Sequence, residues 1–179
     1  NRRFKALLLS GELNRMTNLE IAIAAFYTEI KGSRATPKVI PLPLGVPVRS
    51  DSPIHWAAHA TWGHPGDLQA SGGTPLGTAV ERATGWIATR LTQWWEEGAD
   101  RDCRPVLVVL TDGVPWSGDN LKGAISSVHK MESSGDLAFW IAGTGAATDS
   151  VYVDLANKGN FVHLGSKAIE SFIRLMSMS

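Results

Sequence analysis

Cysteine is almost absent from this chain, since Cys103 is the one cysteine among 179 residues. A single cysteine excludes an internal disulfide, and it excludes a metal cluster held by several thiolates. No signal-peptide pattern opens the sequence either. Both observations predict a protein of the reducing cytoplasm.

An excess of charge of one sign is also lacking, because Lys and Arg total 17 and Asp and Glu total 17. A neutral molecule has no overall attraction to nucleic-acid phosphates or to an anionic membrane surface. The longest apolar runs, such as Val106 to Leu110, are far shorter than the roughly 20 residues that a membrane-spanning helix needs. We therefore predict that neither nucleic acid nor membrane is a partner.

The composition that remains is that of a folded globular protein, with 44% hydrophobic and 19% charged residues. The length allows one core and is too short for two ordinary domains. The sequence therefore predicts one domain over residues 1–179.

Apolar patterning predicts strands that alternate with helices along the chain. Continuous apolar runs at Lys5–Leu9 and Val106–Leu110 are typical of strands buried on both faces, so we expect them side by side in the middle of a parallel sheet. The spacing and the breaker residues predict the following further elements: helices over Thr17–Ile30 (opened by a Thr17 and Glu20 capping box), Ala79–Trp95, Asn120–Glu132, Thr148–Lys158 and Ala168–Met176; strands at Ile54–Trp62, Leu137–Ala142 and Phe161–Leu164; and an irregular or edge segment at Val39–Val48, which contains three prolines.

This alternation indicates an α/β fold, Rossmann-like, with a central and mostly parallel sheet between two layers of helices. In such a sheet the working site lies at the carboxyl ends of the strands. Three loops meet this condition: Ser10–Asn14, Ser71–Gly77 and Thr111–Gly113.

Two of these loops carry a family resemblance. Ser71-Gly-Gly-Thr-Pro-Leu-Gly77, leading into a helix, and Val106-Leu-Val-Val-Leu-Thr-Asp-Gly113 together resemble the von Willebrand factor type A (vWA) domain. The run from Gly72 through Gly113 and the ending Phe172–Ser179 are similar to the bacterial TerY-like members, which are linked to tellurium resistance and stress operons. The resemblance implies the three-layer vWA fold and a non-catalytic protein-interaction module.

The resemblance also implies a metal-ion-dependent adhesion site, at which an acidic side chain of a protein partner completes the coordination of a divalent cation such as Mg²⁺. Thr74 and Asp112 match the threonine and the aspartate of that site, and a hydroxyl and a carboxylate suit Mg²⁺. The family places Asp-x-Ser-x-Ser in the first loop. This chain departs from the pattern there, with Ser10, Glu12 and Asn14 as the three oxygen donors and no aspartate.

Two other functions fit the same motifs. One is a vWA scaffold that works without a metal, because the aspartate of the first loop is missing. The other is a phosphate-handling enzyme on a Rossmann-like sheet, because a glycine-rich loop before a helix can cradle a phosphate. The motifs contain no Walker lysine and no nucleophile with a neighbouring base, so we predict a protein that is not an enzyme.

The partner surface is predicted on the rim formed by Ser10–Asn14, Gly72–Leu76 and Gly113–Asp119. Within it we expect the partner to contact Gly73, Val114, Pro115 and Trp116, since a tryptophan at an interface often contributes much of the binding energy. The alternative is that Trp116 packs on the neighbouring helix. The chain is expected to be a monomer or one part of a hetero-complex.

Overall fold

The computed structural model describes residues 20–42, 57–58, 72–98, 104–144, 152, 155–156 and 160–163. These residues form strands, helices and the turns between them. The elements, in chain order, are β1 (Glu20–Ile21), β2 (Ile23–Lys31), β3 (Arg34–Leu42), β4 (Ala57–Ala58), α1 (Leu76–Glu96), β5 (Val106–Thr111), α2 (Leu121–Ser133), β6 (Ala138–Gly143) and β7 (Phe161–His163).

The chain divides into two compact units. The larger unit contains Phe26–Val39 and Ser71–Leu164, and the smaller unit contains β1 and β4. In the smaller unit β1 pairs with β4 in antiparallel register, with Glu20 opposite Ala58. The interpretation of residues 1–179 as one domain stays a prediction.

A parallel sheet with the order β5-β6-β7 is the centre of the larger unit. Val106 lies opposite Ala138, and Ile141 lies opposite Phe161. The connection from β5 to β6 runs through α2, as a parallel pair requires. These elements confirm the α/β class and the parallel sheet, whereas the three-layer arrangement stays a prediction.

Two amphipathic helices cover this sheet. Helix α1 buries Val80, Ile87 and Leu91, and helix α2 buries Ala124 and Val128. The helices contact each other, while α1 also contacts β5 and α2 contacts β6. The predicted helices at Ala79–Trp95 and Asn120–Glu132 and the predicted strands at Leu137–Ala142 and Phe161–Leu164 are confirmed within a few residues at each end. None of the helices in the described ranges has the length and apolarity needed to span a membrane.

The predicted helix over Thr17–Ile30 is wrong, because the structure places β1 and β2 in this stretch. Glu20 lies in β1, so it is not part of a helix cap. Strand β2 pairs with β3, and the Gly32-Ser33 turn joins them. Gly32 has a φ of 62°, as the first loop residue of a type II′ hairpin requires. Pairing with β3 therefore prevails over the helical spacing of Leu19, Phe26 and Ile30.

The proline-rich segment is a strand as far as Leu42. Pro37 and Pro41 lie in β3, which pairs with β2 alone among the strands that the structure describes, so that its other side is an edge there. A proline is tolerated there because the missing N–H can face away from the partner strand. The edge interpretation of Val39–Val48 is confirmed up to Leu42, and its remainder lies outside the described residues.

Burial of β5 on both faces is not observed. Val109 and Thr111 are buried, but Val106 and Leu110 are 47% and 46% exposed. Successive side chains of a strand point to opposite faces, so the buried Val109 and Thr111 share one face and the exposed Val106 and Leu110 share the other. Within the described sheet β5 is at an edge. Its predicted neighbour Lys5–Leu9 lies outside the described residues, as do Ala168–Met176 and most of Ile54–Trp62 and Thr148–Lys158.

Candidate functional site

The glycine-rich loop before α1 is held against β2. The N–H of Thr28 donates to the carbonyl of Gly73 over 3.0 Å. Gly72 has a φ of 68°, and a Cβ at this position would collide with the carbonyl oxygen of Thr28. Glycine is therefore required at Gly72 both by the backbone conformation and by the close approach.

Thr74 is joined to the loop that follows β5. It forms an isolated parallel bridge with Pro115, and the N–H of Trp116 donates to the Thr74 carbonyl over 2.8 Å. A Cβ built on Gly113 would lie 2.5 Å from Thr74 Oγ1, so the hydroxyl lies directly over the bare Cα of Gly113. The structure thus brings the Thr74 loop together with the loop that contains Asp112.

The donors at this place suit a hard cation. Asp112 is exposed and offers a carboxylate, and Thr74 is half-buried and offers a hydroxyl. Because Gly113 has no side chain, the space beside the Thr74 hydroxyl is left open. Oxygen donors of this kind are the ligands that Mg²⁺ binds. The described residues contain no cluster of three His, Cys, Asp or Glu side chains. Ser10, Glu12 and Asn14, the remaining predicted ligands, lie outside the described residues.

Asp119 binds the amino end of α1 from a distant part of the chain. Its carboxylate accepts from the N–H groups of Gly77 and Thr78, the latter over 3.0 Å, and from the Thr78 hydroxyl over 2.6 Å. The sequence separations are 42 and 41 residues. An anion at a helix amino end is stabilised by the N–H groups and by the helix dipole. Asp119 therefore fastens the loop after β5 to the start of α1.

The other N–H groups at this helix end also have partners. The N–H of Leu76 donates to the Thr74 carbonyl over 2.9 Å, and that of Ala79 donates to the Pro75 carbonyl over 3.0 Å. Pro75 itself has no N–H to donate. With Asp119 on Gly77 and Thr78, the first turn of α1 has no free N–H group to offer an anionic ligand.

Tyr152 contacts the backbone of Gly113, the residue that follows Asp112. It is fully buried, its hydroxyl donates to the Gly113 carbonyl, and its ring stacks on Phe161 with the centroids 5.5 Å apart. Burial raises the pKa of the Tyr152 phenol above 10.0, a hydrogen bond with the Thr111 side chain opposes this shift, and the charge of Asp112 adds to it. The phenol therefore lies near the carboxyl end of β5, close to Thr111, Asp112 and Gly113.

Trp116 lies in the loop between β5 and α2, and the alternative that it packs on the neighbouring helix stays a prediction. It is half-buried, and a Cβ on Gly118 would lie 2.6 Å from the indole, so the ring rests on its own loop. Val114 is 54% exposed, while Pro115 and Gly73 are half-buried. An open groove of about 420 Å³ is lined by Val114, Pro115, Trp116, Ser117, Asp119, Asn120, Leu121 and Lys122.

Sequence reasoning did not find the roles of Asp119 and Tyr152. The sequence predicts Asp119 on the partner rim. An Asp-Asn pair before a helix also indicates a cap for the helix that follows. In the structure Asn120 caps α2, whereas the Asp119 carboxylate accepts from the Thr78 N–H of α1. Tyr152 carries no sequence signal beyond its place in a predicted helix.

Comparison with known proteins does not identify a family for this chain. Protein-family models, curated proteins and solved structures give no match to this chain. The resemblance to the vWA domain accordingly stays a prediction from the residues that carry it.

Proposed function

We propose that this chain is a non-catalytic protein-interaction domain with a metal-ion-dependent adhesion site at Thr74 and Asp112. The observation that carries the proposal is the meeting of two distant loops: Thr74 is bridged to Pro115, and its hydroxyl lies over Gly113, the residue after Asp112. A hydroxyl and a carboxylate from separate loops at the carboxyl end of a parallel strand form an acceptable partial ligand set for Mg²⁺.

The bound cation would supply a fixed positive charge at the surface, to which a carboxylate of the partner protein binds. The other predicted ligands, Ser10, Glu12 and Asn14, lie outside the described residues and stay a prediction from the sequence. Gly73, Val114, Pro115 and Trp116 form the surface around the cation. The TerY-like resemblance would place such a partner in a bacterial stress or tellurium-resistance system of the cytoplasm.

The contacts at α1 favour this proposal over a phosphate-handling enzyme. A phosphate at a helix amino end binds to free N–H groups, supported by the helix dipole. Here the Asp119 carboxylate already accepts from Gly77 and Thr78. A phosphate would have to displace this carboxylate and would also be repelled by it, because both groups are anionic.

Mn²⁺ binding tests the metal site, measured by electron paramagnetic resonance or calorimetry on the full chain. We expect Asp112→Ala to abolish binding and Thr74→Val to weaken it about tenfold or more, because each removes a donor. Glu12→Ala should weaken binding less than Asp112→Ala does. Asp136→Ala is the matched control, since Asp136 is an exposed aspartate whose carboxylate accepts from Ser134 at the far end of α2.

The alternative of a metal-independent scaffold predicts a different result. It predicts that wild type produces no Mn²⁺ or Mg²⁺ signal at millimolar concentration and that chelation with EDTA leaves partner capture unchanged. Trp116→Ala then tests the surface itself, and we expect it to weaken capture while folding is retained. Trp95→Ala is its control, because Trp95 is 38% exposed on α1. Equal recovery of partners by wild type and Trp116→Ala would reject the proposed surface.

A further inference from the structure

Tyr152 occupies a position at which its hydroxyl and its ring have separate contacts. The hydroxyl donates to the Gly113 carbonyl. The ring stacks on Phe161 with an interplanar angle of 7°. A buried phenol needs a polar partner, and this one finds it on the backbone at the end of β5.

Gly113, whose carbonyl accepts this hydrogen bond, lies next to both proposed metal ligands. Asp112 precedes Gly113 in the chain, and Thr74 Oγ1 lies over the Cα of Gly113. Glycine has the least conformational restriction of any residue, so its backbone needs an external contact to hold one orientation. The hydroxyl of Tyr152 supplies a contact of this kind from inside the protein.

We propose that Tyr152 is a positioning residue for the Asp112 and Thr74 pair, which it orders by fixing the Gly113 peptide. This inference rests on the proposed function, because it concerns the geometry of the same metal site. Tyr152 does not bind the cation. Its hydroxyl holds the carbonyl of Gly113, the residue that follows Asp112 and against which the Thr74 hydroxyl lies.

Groups that orient metal ligands from behind contribute to metal affinity through the geometry that they impose. Without the hydroxyl, the Gly113 carbonyl loses its donor, and the peptide between Gly113 and Val114, next to Asp112 in the chain, can rotate. The Asp112 carboxylate then samples orientations that do not face the cation. Affinity should fall although every ligand is still present.

The test compares Mn²⁺ affinity of wild type, Tyr152→Phe and Tyr27→Phe by electron paramagnetic resonance on the full chain. Tyr152→Phe keeps the ring and its stacking on Phe161 while it removes the hydroxyl. Tyr27 is the matched control, since it is the other of the two tyrosines and lies in β2. We expect about a tenfold loss of affinity for Tyr152→Phe, as is typical for groups behind metal ligands, and no loss for Tyr27→Phe.

Thermal unfolding of the same samples shows that binding is measured on folded protein. If Tyr152→Phe does not fold, Thr111→Val replaces it. This change keeps the shape of the side chain and removes the Thr111 Oγ1 that accepts from the Gly113 N–H over 3.5 Å, the other side-chain contact of the same residue. It should lower the Mn²⁺ affinity severalfold. Equal affinity of wild type and the hydroxyl-deleted variant, with wild type binding Mn²⁺ normally, overturns the role of Tyr152 alone. Absence of Mn²⁺ binding by wild type overturns the metal site, and the inference with it.

Discussion

The two helices that cover the sheet begin in different ways, although neighbouring residues cap them. Asn120 caps its own helix α2, where its Oδ1 accepts from the N–H of Gly123 over 3.2 Å. Asp119 caps helix α1, and no side chain at the N-cap position of α1 takes this role. One cap is local in the sequence, and the other joins segments 41 residues apart.

The difference shows what each cap can control. A local cap stabilises one helix, and its loss is confined to the first turn. A remote cap stabilises a helix and also fixes the loop from which it comes. Because the loop that ends at Asp119 contains Asp112, Gly113 and Trp116, we expect the geometry of the proposed site to depend on Asp119 and not on Asn120.

Removal of the remote cap should have the largest effect. Asp119→Ala deletes an anion that accepts from Gly77, from the Thr78 N–H and from the Thr78 hydroxyl. We expect the free energy of unfolding to fall by about 2–3 kcal/mol, within the range for caps and for hydrogen bonds to charged groups. We also expect weaker Mn²⁺ binding, because the loop is released. Urea unfolding and Mn²⁺ titration measure the two effects.

Asp119→Asn is the control for charge. It keeps one acceptor oxygen, so it should lose less stability than Asp119→Ala. If Asp119→Ala is destabilised but binds Mn²⁺ as wild type does, the loop does not depend on its remote anchor and the comparison of the two caps fails.

Removal of the local cap should have a smaller effect. Asn120→Ala deletes the acceptor for Gly123, and we expect a loss of about 1 kcal/mol, as is typical for N-cap substitutions. Mn²⁺ affinity should not change, because the α1 contacts of Asp119 remain. Asn120→Ser, which can cap in the same way, should restore most of the stability. A loss of Mn²⁺ affinity in Asn120→Ala at full folding would show that the two caps act as one unit.

The strands of the parallel sheet and the two helices α1 and α2 could be predicted because their signals are local. Val106–Leu110 is a continuous apolar run that ends at Thr111-Asp112-Gly113, and α1 repeats its apolar residues at helical spacing up to Gly98. The Thr74 and Asp112 loops could be placed at one end of the sheet because carboxyl ends of parallel strands lie together.

The hairpin could not be predicted in the same way. Leu19 to Ile30 contains alanines and apolar residues that also fit helical spacing, and only the pairing with β3 decides for the strand. The prolines of β3 concealed that partner. Asp119 and Tyr152 escaped prediction for a related reason, since their contacts are with Thr78 and Gly113 and join segments far apart in the chain.

Alkaline pH tests the other contact that holds this loop, the hydrogen bond from Tyr152 to the Gly113 carbonyl. Near neutral pH we expect the ionisation of Tyr152 to have no effect on the free energy of unfolding. Burial raises the pKa of Tyr152 above 10.0 in the folded protein. Below pH 10 the phenol is protonated in both states, so its contribution to stability is fully present there. As the pH rises beyond that value the unfolded chain loses the proton first, and the contribution is lost as the pH passes through the folded pKa. Tyr152→Phe should therefore lose less stability above pH 10 than wild type, as measured by urea unfolding at each pH; parallel curves would contradict this.

The smallest effect is expected where the local cap touches the other helix. Asn120 Nδ2 donates to Glu81 Oε1 of α1 over 2.7 Å, at an exposed position. Glu81→Gln keeps an acceptor and removes a charge that water screens, so we expect a change of about 0.3 kcal/mol or less. A double-mutant cycle of Glu81→Gln and Asn120→Ala measures the coupling between the two side chains. A coupling energy near zero would mean that Asn120 caps only its own helix. A coupling energy above about 1 kcal/mol, as found for contacts within one hydrogen-bond network, would mean that Asn120 also joins the two helices.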